Sequence, residues 1–562
     1  MAQTTKDYRL ATFRHEMERY RVVDAPSRPN RGIVVAILLA GLICTVFTVA
    51  RQKPPETILS SVSPSEFSLN NALGHLRTIA AKPHPQGSAE NAEVLEYLTS
   101  TLTADGLAPQ VQELTVMSHA SGKPVVVRNV VARLKGTDGA KAILLVAHYD
   151  TVDHSPGAGD NTSSVAALLE TLRALKAGPP LKNNVVVLFT DGEECGLLGA
   201  HAFVSQHPWS RDAGLVLNFD ARGNRGPALM FETGANNAWA IKEFAAAAPH
   251  PFTTSLFPDL YRLLPNKTDF TVFKKAGFQG LNFAFIDGYG AYHKSSDTVE
   301  NLDPRSVAHL GSYALSLARH FSNLDLTSTA GGGNAIYFDL LSSTVISYPQ
   351  KWAVPLAALV GALFIGIVGF ALKTSRAKLS GIVGGSIAFF INMLAVPLVI
   401  TLLYVIFVRF FPAVGRTPDS TTTRYLYLAG LGAVTIAIGA LIYKTFRKRM
   451  TVAEATLGGL FWWLVGMILT SLFLKGGSYL FTWPLLLMLL AHVPLVVLAH
   501  RQRPPVYLPL LSAGMLLSIM LFVPFIFHTS IAVNIVLYGL AMWMFVFVVS
   551  LFLPLFLCKN PT

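Results

Sequence analysis

The sequence predicts an α/β domain with a mostly parallel sheet, joined to an α-helical transmembrane bundle. Three observations carry this prediction. The chain has 562 residues, too many for one domain of ordinary size. Only 14% of its residues are charged, against about 25% in a typical soluble protein. Between residues 51 and 345, short β-branched runs alternate with amphipathic segments, a pattern typical of α/β folds. Disordered, fibrous and ordinary soluble proteins are thereby excluded.

The first apolar run predicts a membrane anchor. Residues 1–32 are largely polar and basic, and residues 33–50 are uncharged. A run of this length approaches the roughly 20 apolar residues that cross a bilayer as a helix. Because the polar segment before it is long, we expect a cytoplasmic tail and a signal anchor rather than a cleaved signal peptide.

Residues 346–562 predict a membrane bundle of about seven transmembrane helices, which makes eight spans with the anchor. This part holds 15 Lys or Arg and only two acidic residues. Most of the basic residues lie in alternate loops, so the positive-inside rule places both termini in the cytoplasm and residues 51–345 outside it. Since these charges punctuate apolar runs, the expected partner is a lipid bilayer and not nucleic acid. The apolar runs are 352–372, 379–408, 425–443, 455–474, 476–499, 504–527 and 531–557, with His528–Ser530 between the last two.

The segment of residues 51–345 predicts the alternation of an α/β fold. Its β-branched runs predict buried strands at 125–134, 143–147, 185–190, 215–219 and 281–286. Amphipathic stretches predict helices at 163–177, 236–247, 268–275 and 305–322. Ligands of such folds gather beyond the carboxyl ends of the strands. The residues that follow each strand are therefore the candidates for a site.

A carboxylate or an imidazole follows each of the last four of these strands. Zinc takes such ligands, and a catalytic zinc keeps one position for water. Two zinc ions about 3.5–4 Å apart can share one bridging carboxylate. Side chains of neighbouring strand residues diverge, so one of two adjacent glutamates can bind metal while the other faces water. The candidates are His148, Asp150, Asp160, Glu193, Glu194, Asp220, Tyr292 and His293.

Five short motifs over residues 125–321 resemble the di-zinc aminopeptidase family, metallopeptidase family twenty-eight. The resemblance implies a three-layer α/β/α zinc-peptidase domain with a mostly parallel mixed sheet, and two Zn²⁺ ions. With the apolar runs, it extends to the membrane-anchored endoplasmic reticulum metallopeptidase and vacuolar membrane protease group. Eight spans, against about nine in eukaryotic members, favour a bacterial member. The motifs are His148-Tyr149-Asp150, GAGDNTS at 157–163, DGEECG at 191–196, NFD at 218–220 and Tyr292-His293.

The resemblance also implies the metal ligands. His148 and Asp220 would hold one zinc, and Glu194 and His293 the other. Asp160 would bridge the two ions and precede a cis peptide bond.

Three further residues receive catalytic roles from the same resemblance. Glu193 would act as general base, Tyr292 would polarise the scissile carbonyl, and Asp150 would fix the ring of His148. Two residues near these motifs have two possible roles each. Arg222 could meet a substrate carboxylate, although a structural ion pair is favoured. Asp297 could support His293, although capping a turn is favoured.

The predicted function is that of a membrane-anchored di-zinc metallopeptidase acting on peptides, an aminopeptidase before a carboxypeptidase or dipeptidase. The alternatives are a glutaminyl cyclase-like acyltransferase, and a peptide-binding receptor or transporter with a peptidase-like domain. The expected location is the bacterial inner membrane with the peptidase domain facing the periplasm, or the endoplasmic reticulum or vacuolar membrane in a eukaryote. Residue preference, physiological substrate, oligomeric state and the role of the bundle stay open.

Overall fold

The chain divides into an α/β domain and an apolar helical bundle. The computed structural model describes residues 31–56, 63–117, 122–139, 141–327, 329, 331–411, 421–446, 448–497, 507–532, 538–552 and 555. The predicted cytoplasmic tail lies almost entirely outside the described residues.

Seven strands form one mixed sheet in the α/β domain. Their order is β1-β2-β4-β3-β5-β7-β6. The central neighbours β4, β3, β5 and β7 run parallel, whereas β1, β2 and β6 pair antiparallel. The strands are β1 Gln110–Met117, β2 Pro124–Leu134, β3 Ala142–His148, β4 Asn184–Thr190, β5 Ala213–Ala221, β6 Leu229–Thr233 and β7 Gly280–Phe285.

Helices cover both faces of this sheet, because side chains along each central strand alternate between two apolar cores. In β3, Ile143 and Leu145 face one core, and Leu144 and Val146 face the other. The larger core receives α2 Leu69–Ile79, α3 Ala89–Ala104, α4 Ser163–Lys176, α6 Ala238–Ala247 and α9 Pro304–Phe321. The smaller core receives α5 Leu198–Gln206 and α8 Asp269–Lys275. The predicted three-layer α/β/α class is confirmed.

Local capping fixes where several helices begin. The Ser68 hydroxyl accepts a hydrogen bond from the Asn71 amide at the start of α2. Asp303 caps α9 by accepting from the Arg305 amide at 3.0 Å, and Pro304 occupies the first helical position, where its missing N–H costs nothing. These caps satisfy backbone amides that have no partner within the helix.

A short helix and a hairpin link the domain to the bundle. They are α7 Leu256–Tyr261 and the antiparallel strands β8 Ala335–Leu340 and β9 Thr344–Pro349. Among the described residues, seven helices are long and apolar enough to cross a membrane, and Tyr538–Leu551 is a shorter apolar helix. The bundle helices are α1 Arg31–Ala50, α10 Ala353–Lys373, α11 Leu379–Phe410, α12 Thr421–Phe446, α13 Val452–Phe473, α14 Ser478–Val497, α15 Tyr507–Ala532 and α16 Tyr538–Leu551.

One predicted helix boundary is wrong. The sequence places a break at His528–Ser530, but α15 continues through Ala532. His528 is buried there, and its ring nitrogen Nε2 lies 2.9 Å from the Gln52 side-chain oxygen. This contact joins the end of α15 to Gln52, two residues after the end of α1. Residues 528–530 therefore lie within a helix and not in a loop.

The α/β domain rests on one end of the bundle. The Ser255 hydroxyl donates to the Gly476 carbonyl at 2.7 Å, and Thr254 hydrogen-bonds the Tyr479 hydroxyl at 2.7 Å. Tyr479 also stacks on Phe338 of β8. These bundle residues lie between α13 and α14 or at the start of α14. The loop between α13 and α14 therefore forms part of the surface on which the domain packs.

Candidate metal and catalytic centre

His148 ends β3 and is held from one side. Its ring is 2% exposed, and Nδ1 donates to the backbone carbonyl of Asp150 at 3.0 Å. A carbonyl can only accept, so this bond leaves Nε2 free to act as an acceptor or a metal ligand. Nε2 lies 3.2 Å from Asp160 Oδ1 and 3.8 Å from Asp220 Oδ1. The sequence prediction that these three residues meet agrees with this geometry.

Asp150 contacts more of the site than the sequence indicates. Its carboxylate accepts from the backbone amides of Glu193 and Glu194 at 3.0 and 3.1 Å. Asp150 Oδ1 is 3.5 Å from His148 Nδ1. The ring is therefore oriented mainly by the Asp150 carbonyl, while the carboxylate fixes the turn that carries both glutamates.

Asp160 lies in the tight turn Ala158–Thr162 before α4, and the peptide bond to Asn161 is cis, as the resemblance implies. The amides of Gly159 and Asp160 both donate to the carboxylate of Asp297, at 2.8 and 3.1 Å. Asp297 thus supports Asp160 rather than His293 or a simple turn. Burial raises the pKa of Asp297 to about 7, which the two amide donors oppose.

A second group gathers around His293. Its Nε2 lies 3.1 Å from Asp160 Oδ2 and 3.0 Å from Glu194 Oε1, and the side chain is 35% exposed. We name residues 287–293 the His293 loop. His293 has a φ of 57°, a left-handed conformation that is strained for a side chain of this kind and clusters at functional sites.

The two groups share one carboxylate. Ligand-type atoms of His148, Asp160 and Asp220 lie within 4.8 Å of one another, and so do those of Asp160, Glu194 and His293. Glu194 Oε1 and His293 Nε2 are buried and have no hydrogen-bond partner within the described part of the chain, although they are only 3.0 Å apart. Buried polar atoms normally have partners. A nitrogen and carboxylate oxygens converging without hydrogen-bond geometry are the donor set that zinc takes, so the residues fit that metal.

Glu193 stands beside these groups. It has a ligand-type atom within 4.8 Å of those of His148 and Glu194. Burial raises the pKa of the Glu193 carboxyl well above its ordinary value, with nearby Asp220, Asp269 and Glu194 adding repulsion and His148 opposing it. Such a carboxyl takes up and holds a proton more readily than an exposed glutamate.

Tyr292 forms an aromatic stack with its neighbours. Its ring lies on His293, with centroids 3.8 Å apart, and on Tyr289 at 5.5 Å. Burial strongly raises the pKa of the Tyr292 phenol, so it stays un-ionised at neutral pH and can donate its O–H. The guanidinium of Arg222 lies 4.8 Å from the Tyr289 centroid. The favoured structural ion pair of Arg222 is not found among the described residues.

Sequence reasoning assigns Asp297 a different role, a turn cap or a support for His293, and does not identify Asp269; both carboxylates are buried. Asp297 belongs to a segment between the His293 loop and α9, and no strand precedes it. Asp269 begins α8 and accepts a hydrogen bond from the Thr190 hydroxyl at the end of β4. Burial raises the pKa of Asp269 to about 7. Both act through contacts with residues far away in the chain, for which the sequence carries no local signal.

The chain matches Peptidase family M28 over residues 129–318. These residues form a Peptidase family M28 domain. The match spans β2 to most of α9 and includes every candidate ligand. The family resemblance drawn from the five motifs is confirmed.

Relatives of this M28 domain include membrane proteins. The chain is 31% identical over 345 residues to endoplasmic reticulum metallopeptidase 1 of Rattus norvegicus, covering 56% of this chain and 38% of the relative. It is 34% identical over 233 residues to the Homo sapiens protein of that name, covering 40% and 26%. It is 34% identical over 247 residues to the vacuolar membrane protease of Candida albicans, covering 43% and 29%. The chain thus spans well under half the length of these relatives.

Solved structures are similar to the M28 domain in fold. A zinc aminopeptidase from Bacillus subtilis is 14% identical and matches with a TM-score of 0.38, over 48% of this chain and 98% of the other. A Porphyromonas gingivalis glutaminyl cyclase is 21% identical, with a TM-score of 0.37, over 45% and 97%. At these values, neither likeness distinguishes peptidase from cyclase.

Proposed function

We propose that the chain is a membrane-anchored di-zinc exopeptidase that hydrolyses peptide bonds, acting as an aminopeptidase. One observation carries the proposal: two groups of ligand-type side chains converge and share Asp160. His148 and Asp220 would complete one zinc site, and Glu194 and His293 the other. Membership in Peptidase family M28 supports the reaction class.

The protein's own residues supply the proton transfers. Zinc, when bound, provides Lewis acidity that favours deprotonation of a water molecule and polarisation of the peptide carbonyl. Glu193 takes a proton from the attacking water onto its carboxylate and delivers it to the nitrogen of the leaving amine. A ligand-type atom of Glu193 lies within 4.8 Å of those of His148 and Glu194, which supports this role because it places the carboxylate beside the candidate zinc site.

Tyr292 serves the developing negative charge on the carbonyl oxygen. Its phenol keeps its proton, and its ring is fixed by stacking on His293 and Tyr289. A donor fixed before the reaction stabilises charge without reorganisation. Asp150 and Asp297 hold backbone amides on either side of the site, which limits movement of Glu193, Glu194 and Asp160.

We also propose that the M28 domain faces away from the cytoplasm. If each helix crosses the membrane once, the start of α14 and the end of α15 lie on the same side of the membrane. Gly476, just before α14, contacts Ser255 of the domain, and His528, near the end of α15, contacts Gln52 just before the domain. Both contacts support placing the domain on that side. Eight crossings, counting the shorter helix Tyr538–Leu551, bring both termini to the opposite side. Substrates would then be peptides that reach the outer surface of the membrane.

The direct test is Glu193→Gln in the purified full-length protein. We expect two zinc ions per chain in both proteins, and a loss of peptide hydrolysis of about 10³-fold or more in the variant. Glu96→Gln, at an exposed position on α3, serves as the matched control and should retain full activity. A zinc-loaded Glu193→Gln protein with undiminished hydrolysis would remove Glu193 from the mechanism.

The same preparation separates the rival functions. Peptides with free and acetylated N-termini, digested and read by mass spectrometry, report the direction of attack. Release of single residues only from free N-termini supports an aminopeptidase. Formation of pyroglutamate from N-terminal glutamine, with one zinc per chain, would favour a glutaminyl cyclase. Binding without any conversion would favour a receptor or transporter.

A further inference from the structure

A salt bridge links the membrane bundle to the His293 loop. Arg424 lies in the first turns of α12, and its Nη1 is 2.7 Å from Asp287 Oδ1. The two side chains are 4% and 7% exposed. Asp287 comes two residues after the end of β7 and six before His293. The bundle therefore contacts the His293 loop in addition to its contacts with Thr254 and Ser255.

Asp287 joins the loops that follow two strands. Its backbone carbonyl accepts from the amides of Asn224 and Arg225, both at 3.0 Å, in the segment after Asp220 and β5. Its carboxylate accepts from the Gly288 amide at 2.6 Å, which opens the turn toward Tyr292. Gly288 has a φ of 75°, and a Cβ there would lie 1.9 Å from the Asn224 side-chain oxygen. Two backbone hydrogen bonds therefore join the two loops at Asp287.

Arg424 is also unusual in its position along the membrane. The positive-inside rule favours basic residues on the cytoplasmic side, and α12 begins on the side of the M28 domain. Arg424 is buried there against a carboxylate of that domain rather than exposed to water. Arg225 Nε also lies 3.6 Å from Asp287 Oδ1, so removing Arg424 would leave the buried Asp287 carboxylate with this more distant contact and weaken its compensation.

We propose that Arg424 is a positioning residue through which the membrane bundle holds the His293 loop in its active arrangement. The bundle is then a structural part of the peptidase site and not only its anchor. The catalytic meaning of this contact rests on the proposed function, since the loop carries a candidate zinc ligand and Tyr292. The mechanical meaning does not, because the ion pair exists whatever the reaction.

The test compares Arg424→Gln, Arg424→Lys and Asp259→Asn in the full chain reconstituted in lipid nanodiscs. Asp259 is the matched control: its Oδ2 accepts from the Gly476 amide at 3.0 Å, so it also joins domain to bundle, but away from the His293 loop. Two readouts are taken, steady-state peptide hydrolysis and hydrogen exchange of the backbone amides at 286–294.

We expect Arg424→Gln to lower kcat by about 10- to 100-fold with little change in KM, as small misplacements of reacting groups do. Exchange should rise at 286–294 and stay unchanged in β3. Arg424→Lys retains the charge and should recover part of both readouts. Asp259→Asn should change neither.

Three results would overturn the proposal. One is an Arg424→Gln protein with the kcat and loop exchange of the wild type. Another is a rise in exchange across the whole domain, which would indicate general undocking. The third is an equal loss in Asp259→Asn. If the wild-type chain hydrolyses no peptide, the proposed function fails, and loop exchange alone still decides whether Arg424 holds the loop.

Discussion

The two halves of the candidate site differ in how they are built. The half with His148 and Asp220 sits on the ends of β3 and β5, and the His148 ring is 2% exposed. The half with Glu194 and His293 lies on turns, and the His293 side chain is 35% exposed. Asp160 belongs to both halves. One half is part of the sheet's core, and the other depends on loops.

The two halves are held in place by different kinds of contact. The buried half inherits its geometry from strand pairing, as in the register of His148 with Thr190. The exposed half needs support from outside the sheet: Asp150 fixes the turn before Glu194, and Arg424 of the bundle contacts Asp287.

The largest effect is expected from the residue that the halves share. Asp160→Asn would remove a charged ligand from both proposed zinc sites, so we expect zinc content to fall and hydrolysis to drop by about 10³-fold or more. Elemental analysis and peptide assays on the same sample measure both. Asp153→Asn, an exposed neighbour, is the control. An Asp160→Asn protein with two zinc ions and full activity would contradict a shared ligand.

A substitution at Tyr292 tests the exposed half while leaving the candidate metal ligands unchanged. Tyr292→Phe removes the phenol donor but keeps the stacked ring, so kcat should fall by about 10²- to 10³-fold with zinc content unchanged. Tyr289→Phe is the matched control, since that ring stacks on Tyr292 but is 46% exposed. Equal kcat values for wild type and Tyr292→Phe would exclude the donor role.

The next largest effect is expected on thermal stability, which should fall more for a substitution in the buried half than for one in the exposed half. His148→Ala opens a cavity and removes the hydrogen bond to the Asp150 carbonyl, at a cost of about 2–4 kcal/mol. Its apparent Tm should fall by roughly 5–10 °C, whereas His293→Ala should lose less than about 2 °C. Thermal unfolding with a chelator present keeps zinc loss out of the comparison. Similar losses in both variants would mean that the halves are equally embedded.

The smallest effect concerns a histidine outside both halves. His309 in α9 is buried, and its Nδ1 accepts from the Ala228 amide at 3.0 Å. Burial lowers the pKa of His309 to about 3, below the value of about 6.5 in an unfolded chain. Its contribution to stability is therefore full above pH 6.5 and declines as the pH falls.

The loss at pH 5 should be about 2 kcal/mol. His309→Asn, which keeps an acceptor for Ala228, should flatten the pH dependence of the apparent Tm between pH 7 and 5. An unchanged slope would show that other groups dominate acid unfolding. This control also separates loss of fold from loss of zinc when activity falls in acid.

Burial also decides which elements of the fold can be predicted from the sequence. The central strands are buried on both faces, so their β-branched runs appear directly in the sequence. β1 was missed because it is an edge strand that alternates polar and apolar residues, with one face toward solvent. The helices α2 and α3 are also not predicted, since each buries only a narrow stripe of residues, and α5 is not predicted because it is short and rich in small residues.

The candidate ligands could be predicted because each follows a strand or opens a helix. Of the supporting residues, the family resemblance implies Asp150, but the contacts of Asp297 and Arg424 could not be predicted. Asp297 lies 138 residues from Gly159, and Arg424 lies 137 residues from Asp287. Such contacts exist only once the layers and the bundle have packed together, and no spacing along the chain indicates them.

Anomalous scattering at the zinc edge from crystals of the full chain tests the central claim most directly. Two peaks are expected about 3.5–4 Å apart, one against His148 and Asp220, the other against Glu194 and His293, with Asp160 contacting both. A single peak, or zinc bound to residues outside this set, would contradict a centre built from two halves around one shared carboxylate.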